Sequence, residues 1–257
     1  MRARRVNVPG LVVIAGLAAV WEMAVRSGAI EFDYLPAPSA IVGGGWALIA
    51  SGDLFVEAAH TLYAVWLGWM LAVAIGSGLG LLLGLSSAAR TYLQASLELL
   101  RPLPAIAFLP VALLIFNFSL TTELVVIVYA ATWPVFMNTM GGVMAVASRL
   151  HDVARTLRLT RAQAVANIVL PAALPAIVVG CRLSLGLSLV MAIIAEMLGN
   201  PHGLGHAIMS ELQAMQPERM FAYVIIVGIL AIVLNAGLRR VGAYLLRGHP
   251  PEVAEHV

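Results

Sequence analysis

The sequence predicts an all-α polytopic membrane protein, and three observations predict it. The chain is 61% hydrophobic and only 11% charged, whereas a soluble domain carries about 25% charged residues. Its mean hydropathy is +0.94. Apolar runs of ~20 residues, the length that crosses a hydrocarbon core, recur six times between short polar segments. No internal repeat, low-complexity tract or soluble domain interrupts them, so residues 1–257 read as one membrane domain.

The six runs lie at about 9–26, 60–85, 93–116, 123–143, 172–198 and 221–245. Arg2, Arg4 and Arg5 precede the first run as they would precede a signal peptide, but it continues through Trp21 and Met23 without a small-residue cleavage site. It reads as a retained helix. Glu22 within it sits one turn from Arg26, a spacing that pairs the two. After the first run, stiff chain from Leu35 leads to Ser39, which is suited to cap a short interfacial helix reaching about Ala50. In the second run, Gly68, Ala72, Gly76, Gly80 and Gly84 recur every four residues as an oblique ridge, the kind that lets helix backbones approach closely in lipid.

Charge distribution orients the chain. With the N-terminus in the cytoplasm, Arg2, Arg4, Arg5, Arg90, Arg101, Arg149, Arg155, Arg158, Arg161, Arg239, Arg240 and Arg247 fall in or beside cytoplasmic segments. Glu31, Asp33, Asp53, Glu57, Glu211 and Glu218 gather outside. Both termini are expected inside. A net charge of +2 gives no footprint for nucleic acid.

All fifteen cations are arginine. A phosphate-binding P-loop needs its lysine, so this chain holds no Walker-type ATPase site and no catalytic residues for hydrolysis. Cys181 is the single cysteine, which excludes an intramolecular disulfide and suits a small apolar role inside a span.

The most polar interruption lies between the fourth and fifth runs, at about 148–171, and carries Arg149, Arg155, Arg158 and Arg161. Asp152 places a carboxylate near the start of a helical stretch, where the helix dipole favours it. Thr160 and Gln163 have the spacing of a capping box that opens a second helix. Its apolar face would hold Ala164, Val165, Ile168 and Val169, Pro171 would end it, and Pro175 would suit the first turn of the fifth span. Read alone, the segment is either a solvated loop or a rigid two-helix contact for a partner.

Residues 152–171 resemble the cytoplasmic coupling loop of bacterial ABC-importer permeases, whose pattern is Glu-Ala-Ala, three residues, Gly, nine residues, Ile, one residue, Leu-Pro. Ala154, Ile168, Leu170 and Pro171 match it, and Asp152 replaces the glutamate. Val153 departs from the second position and Arg158 occupies the glycine position, where either the turn changes shape, or arginine accepts the strain, or it contacts the partner. The resemblance runs from about Thr61 to Arg247 and narrows to the nitrate, sulfonate and taurine permeases. Residues 101–110 (Arg-Pro-Leu-Pro-Ala-Ile-Ala-Phe-Leu-Pro) look like the start of their third span. Residues 195–199 (Ala-Glu-Met-Leu-Gly) with Gly203 and Gly205 look like the end of their fifth.

That resemblance implies a type I ABC-importer permease (MetI-like) fold in the bacterial inner membrane. It implies two permease copies on two copies of an ATPase subunit, with ATP and magnesium bound there and no cofactor in this chain, and a separate solute-binding protein. Asp152, Ala154, Arg155, Leu157, Arg158, Ile168, Leu170 and Pro171 are the expected ATPase-coupling residues. The implied cargo is a small polar, anionic solute of the sulfonate, taurine or nitrate kind.

For the pathway the candidates are Asn138, Ser184, Ser188 and Glu196. Asn138 could meet solute or bond between helices. The serines could line a polar path or bond back to their own helix. Glu196 is expected near the outer end, with interfacial exposure. His202 and His206 are four apart, but Gly203 and Gly205 argue against a helix there, and no metal site is expected. The rival reading is a gradient-driven transporter or channel, which would need an ion relay beyond Glu22 and Glu196 and more often shows a repeat.

Overall fold

A computed structural model describes residues 8–28, 34–146 and 157–246. Among them the secondary structure is helical throughout: α1 (Val8–Arg26), α2 (Pro38–Ser51), α3 (Asp53–Leu85), α4 (Ser87–Leu100), a 3-10 turn (Ala105–Phe108), α5 (Leu109–Phe116), α6 (Leu120–Met144), α7 (Arg161–Leu198), α8 (Leu204–Gln213) and α9 (Pro217–Leu245). By length and composition α3, α6, α7 and α9 can each cross a membrane, and α4 with the segment Ala105–Phe116 makes a fifth crossing if the bent pair counts as one. Helix α1 stands where the first of the six expected spans lies.

The centre of the bundle is α3 against α6 against α7. The small-residue ridge of α3 makes the first contact possible. A β-carbon at Gly68 would strike the Ile127 side chain, one at Gly76 the Thr132 carbonyl and Val135, one at Gly80 Thr139 and the Phe136 carbonyl, and one at Gly84 Val143. The ridge therefore packs helix on helix. On the other side of α6, Gly142 lies against Ala176 and Gly180 against Asn138 and Pro134 of the facing helices. Val65, Val126, Ile127, Ala131, Val135, Leu185, Leu189 and Ala192 are buried between them.

Several expectations need correction. The third run, 93–116, is broken: α4 and the following segment bend by 80° across residues 101–104. Pro102 and Pro104 remove two backbone donors there, and the Tyr129 hydroxyl donates to the Leu100 carbonyl at 2.7 Å. The second span begins at Asp53 rather than 60, because Gly52 adopts a left-handed conformation (φ 85°) that ends α2 and starts α3. Its 33 residues measure about 50 Å, longer than a ~30 Å hydrocarbon core, so its ends reach beyond the apolar layer.

Ser39 does not cap α2; Ala37 holds the N-cap position and Pro38 begins the helix. Instead the Ser39 amide and hydroxyl donate to Glu22 at 2.9 and 2.7 Å. Glu22 also pairs with Arg26 at 2.5 Å as the spacing predicts, so one carboxylate ties α1 to α2.

Pro171 does not end the loop helix either. The chain runs unbroken from Arg161 to Leu198, because a π turn at Val165–Val169 immediately precedes Leu170 and Pro171. Widening the turn to i→i+5 bonding accommodates the donor that proline lacks. Pro175 accordingly lies inside the helix rather than in its first turn.

Candidate functional site

The helix polarities define two ends of the bundle. At the loop end α3 stops, α4 starts, α6 stops and α7 starts. At the far end α3 and α6 start and α7 stops.

At the loop end, Ser86 caps α4 by accepting from the Ala89 amide at 3.1 Å, and Arg90 donates to the Leu83 and Gly84 carbonyls at 3.0 and 3.1 Å. The arginine thus satisfies two carbonyls left open at the end of α3. Of the expected coupling residues, Asp152, Ala154 and Arg155 lie outside the described residues. Leu157 is 63% exposed. Arg158 has φ 52°, so arginine takes the left-handed conformation that the glycine of the family pattern would supply freely, at a cost of ~1–2 kcal/mol. Thr160 follows as the N-cap of α7. Its hydroxyl accepts from the Gln163 amide at 3.3 Å, and its own amide donates to Gln163 Oε1 at 2.9 Å. The expected capping box is formed. Ile168 is half-buried, Val169 is buried against Val143, Val146 and Ala173, and Leu170 is 38% exposed.

Midway along the bundle, a cavity of about 460 Å³ is walled by the bend between α4 and α5, by α6 and by α7. Its polar lining comes from Arg101, Tyr129 and Asn138, and its apolar lining includes Trp133, Leu187 and Met191. Arg101, counted in the sequence with the cytoplasmic arginines, sits on this wall. The Asn138 amide donates to the Pro134 carbonyl of its own helix at 2.8 Å, leaving the side chain half-buried at the cavity. Ser184 and Ser188 do not line this cavity but are buried within the bundle; Ser188 donates to the Ser184 carbonyl at 2.9 Å. A second cavity, about 530 Å³, lies between α7 and α9, where Arg182 Nε donates to Asn235 Oδ1 at 3.0 Å.

The densest polar chemistry is at the far end. Glu196 is not interfacially exposed but fully buried (0%), and so is Glu123 (1%). One oxygen of Glu196 accepts from the Thr61 hydroxyl at 3.0 Å and the Gly205 amide at 2.9 Å. Thr61 in turn accepts from the Leu204 amide at 2.9 Å. Glu57 accepts from the Gly203 amide. Glu123 Oε1 accepts from the Asn200 amide and lies 3.2 Å from His60 Nε2. These bonds fold the α7–α8 connection over Glu196, which is why the carboxylate is sealed. Gly203 takes φ 99° and touches the Glu196 carboxylate, while Gly205 packs on the Ile193 carbonyl. Gly203 is the N-cap of α8 and Gly205 lies in its first turn, so these glycines start a helix instead of preventing one. His202 stacks at 5.7 Å from His60. The groups whose ligand atoms converge are His60, Glu123 and Glu196, within 4.8 Å of one another, and not the pair His202 and His206. Glu123, His60 and Asn200 were not among the residues singled out from the sequence.

Residues 64–248 match the family model of the binding-protein-dependent transport system inner membrane component. The chain belongs to that family. It is 34% identical over 238 residues to SsuC of Bacillus subtilis (strain 168), by name an aliphatic sulfonates transport permease protein, covering 93% of this chain and 86% of that one. It is 30% identical to the nitrate import permease protein NrtB of Leptolyngbya laminosa (90% and 85% covered) and 29% identical to the taurine transport system permease protein TauC of Escherichia coli (strain K12) (92% and 88% covered). Among solved structures, a chain of the inward-facing MetNI methionine ABC transporter superposes with a TM-score of 0.65 at 18% identity, covering 72% of this chain and 93% of that one. The likeness extends to a chain from an amino acid ABC transporter with histidines, at a TM-score of 0.61 and 21% identity, covering 79% and 97%. At such identities the likeness carries the fold, and the fold is the ABC permease one.

Proposed function

We propose that this chain is the permease subunit of an ATP-driven importer for a small oxyanion-bearing solute, of the sulfonate, taurine or nitrate kind. Two copies would pair, both termini cytoplasmic, on two copies of an ATPase subunit that holds ATP and magnesium. A separate solute-binding protein would deliver cargo at the far end. The absence of lysine supports placing hydrolysis on the other subunit, because no P-loop lysine exists here.

The observation that carries the proposal is the continuity of α7. Its N-terminus is the capped Thr160–Gln163 turn just beyond Arg158, and its C-terminal turn carries Glu196. A push on the 152–171 loop would be delivered to the far end through one 38-residue helix, whose π turn at Val165–Val169 and Pro175 lie near its loop end. The α4–α5 bend, Tyr129 and Asn138 supply a mid-bundle chamber in which Arg101 offers the guanidinium that suits an oxyanion. The solutes for which relatives are named, aliphatic sulfonates, nitrate and taurine, all carry an oxyanion.

The test is substitution of Ala154 by glutamate in the assembled transporter. Continued ATP hydrolysis with loss of solute uptake is expected. Uptake at the level of the unmodified protein contradicts the coupling role.

A further inference from the structure

We propose that the far end of the bundle binds a divalent transition-metal cation of the zinc class between α3, α6 and α7, with His60, Glu123 and Glu196 as ligands. Three observations lead there. Two carboxylates are 1% and 0% exposed, and among the described residues the only cation-forming side chain within ion-pair distance of either is His60. Each also has one buried oxygen, Glu123 Oε2 and Glu196 Oε1, without a hydrogen-bond partner. Buried charge of this kind needs a compensating ion or proton.

His60 Nε2 lies 3.3 Å from Asn200 Nδ2 and 3.2 Å from Glu123 Oε1, while Asn200 Nδ2 donates to the same Glu123 oxygen. If the amide nitrogen faces His60 and Nε2 carries no proton, the Nε2 lone pair confronts the carboxylate; if Nε2 carries the proton it donates to Glu123 Oε1, and two N–H donors then face each other across 3.3 Å. If the amide is turned, its oxygen confronts the carboxylate instead. With Glu123 ionised, every one of these arrangements leaves one like pair, acceptor on acceptor or donor on donor. A cation among them turns every one of these lone pairs into a ligand.

The spacing suits such an ion. Tetrahedral ligands about 2.1 Å from zinc stand ~3.4 Å apart, close to the 3.2 Å between His60 Nε2 and Glu123 Oε1. The three ligand atoms fall within 4.8 Å of one another, and a bound ion would draw the wider-spaced of them in toward ~3.4 Å. Asn200, with its amide turned so that the oxygen faces the cluster, would close a fourth side. One imidazole with two carboxylates is a nitrogen–oxygen set suited to zinc or manganese. The surrounding shell is prepared: Thr61 and the Gly205 amide hold the other face of Glu196. The ion would cross-link three helices and the connection that covers them.

The test measures zinc in the full-length chain, purified in detergent through an affinity tag free of histidine. The protein is stripped with chelator, equilibrated with micromolar zinc sulfate, desalted and analysed for metal. One zinc per chain is expected in the natural sequence and in the exposed control Glu98→Gln, with at least a tenfold loss of affinity in Glu123→Gln and Glu196→Gln. Equal zinc in all four proteins, or none in the natural sequence, overturns the site; the latter leaves protons as the compensating charge. Should the variants fail to fold, the natural protein still decides: zinc and not magnesium must raise its Tm, saturating at one equivalent, and no shift overturns the proposal.

Discussion

Gly203 and Glu196 touch, and the contact exists only because residue 203 has no side chain. A β-carbon there would overlap the Glu196 carboxylate, and the backbone of Gly203 sits at φ 99°. One glycine thus seals a buried acid under the α7–α8 connection.

Gly203→Ala should therefore be costly. Left-handed strain of ~1–2 kcal/mol adds to overpacking of ~1–3 kcal/mol, expected as a lower Tm and a loss of transport. Gly43→Ala, in a helix with nothing within 4 Å of the added carbon, should leave both unchanged. Thermal unfolding of the two variants in detergent checks this.

The α3 ridge makes a second demand. Gly80→Leu places a branched side chain where Thr139 and the Phe136 carbonyl already stand. Since packing is the main attraction between helices in lipid, the variant should misassemble, seen as aggregation on size-exclusion chromatography. Gly78→Leu, on a face with nothing within 4 Å, should elute as the unmodified protein does.

Arg158 is strained where glycine would not be. Arg158→Gly should retain coupled transport and relieve ~1–2 kcal/mol, whereas Arg158→Val, β-branched in a left-handed conformation, should lose coupling. The ratio of solute imported to ATP hydrolysed reads the difference. A loss in Arg158→Gly equal to that in Arg158→Val would show that the guanidinium, and not the backbone shape, matters.

Thr160→Ala removes the hydroxyl half of the capping box. The expected cost is ~0.5–2 kcal/mol at the N-terminus of α7, too little to unfold the bundle but enough to fray the first turn of the lever. Hydrolysis should persist while uptake falls, measured in the same vesicles.

What the sequence reveals, and what it hides, follows from the range of the interactions. The Thr160–Gln163 box and the Glu22–Arg26 pair are legible because partners three and four residues apart must meet on a helix. The glycine ridge is legible because its period matches a helix face. The break of the third span at residues 101–104 is not, since prolines at a helix start and prolines at a kink read alike until Tyr129 is seen to bond the freed Leu100 carbonyl. The continuity of α7 through Pro171 depends on a π turn that has no sequence signature. His60, Glu123 and Asn200 escape notice because they are 63 and 77 positions apart along the chain, and each alone is an ordinary polar residue near a helix end.

Native mass spectrometry tests most directly whether this permease is driven by an ATPase on another polypeptide. The tagged chain, gently extracted from cells expressing its neighbouring genes, should appear as two copies bound to two copies of an ATPase subunit. A stable assembly lacking any ATPase after mild crosslinking would contradict the account and favour a transporter driven by an ion gradient.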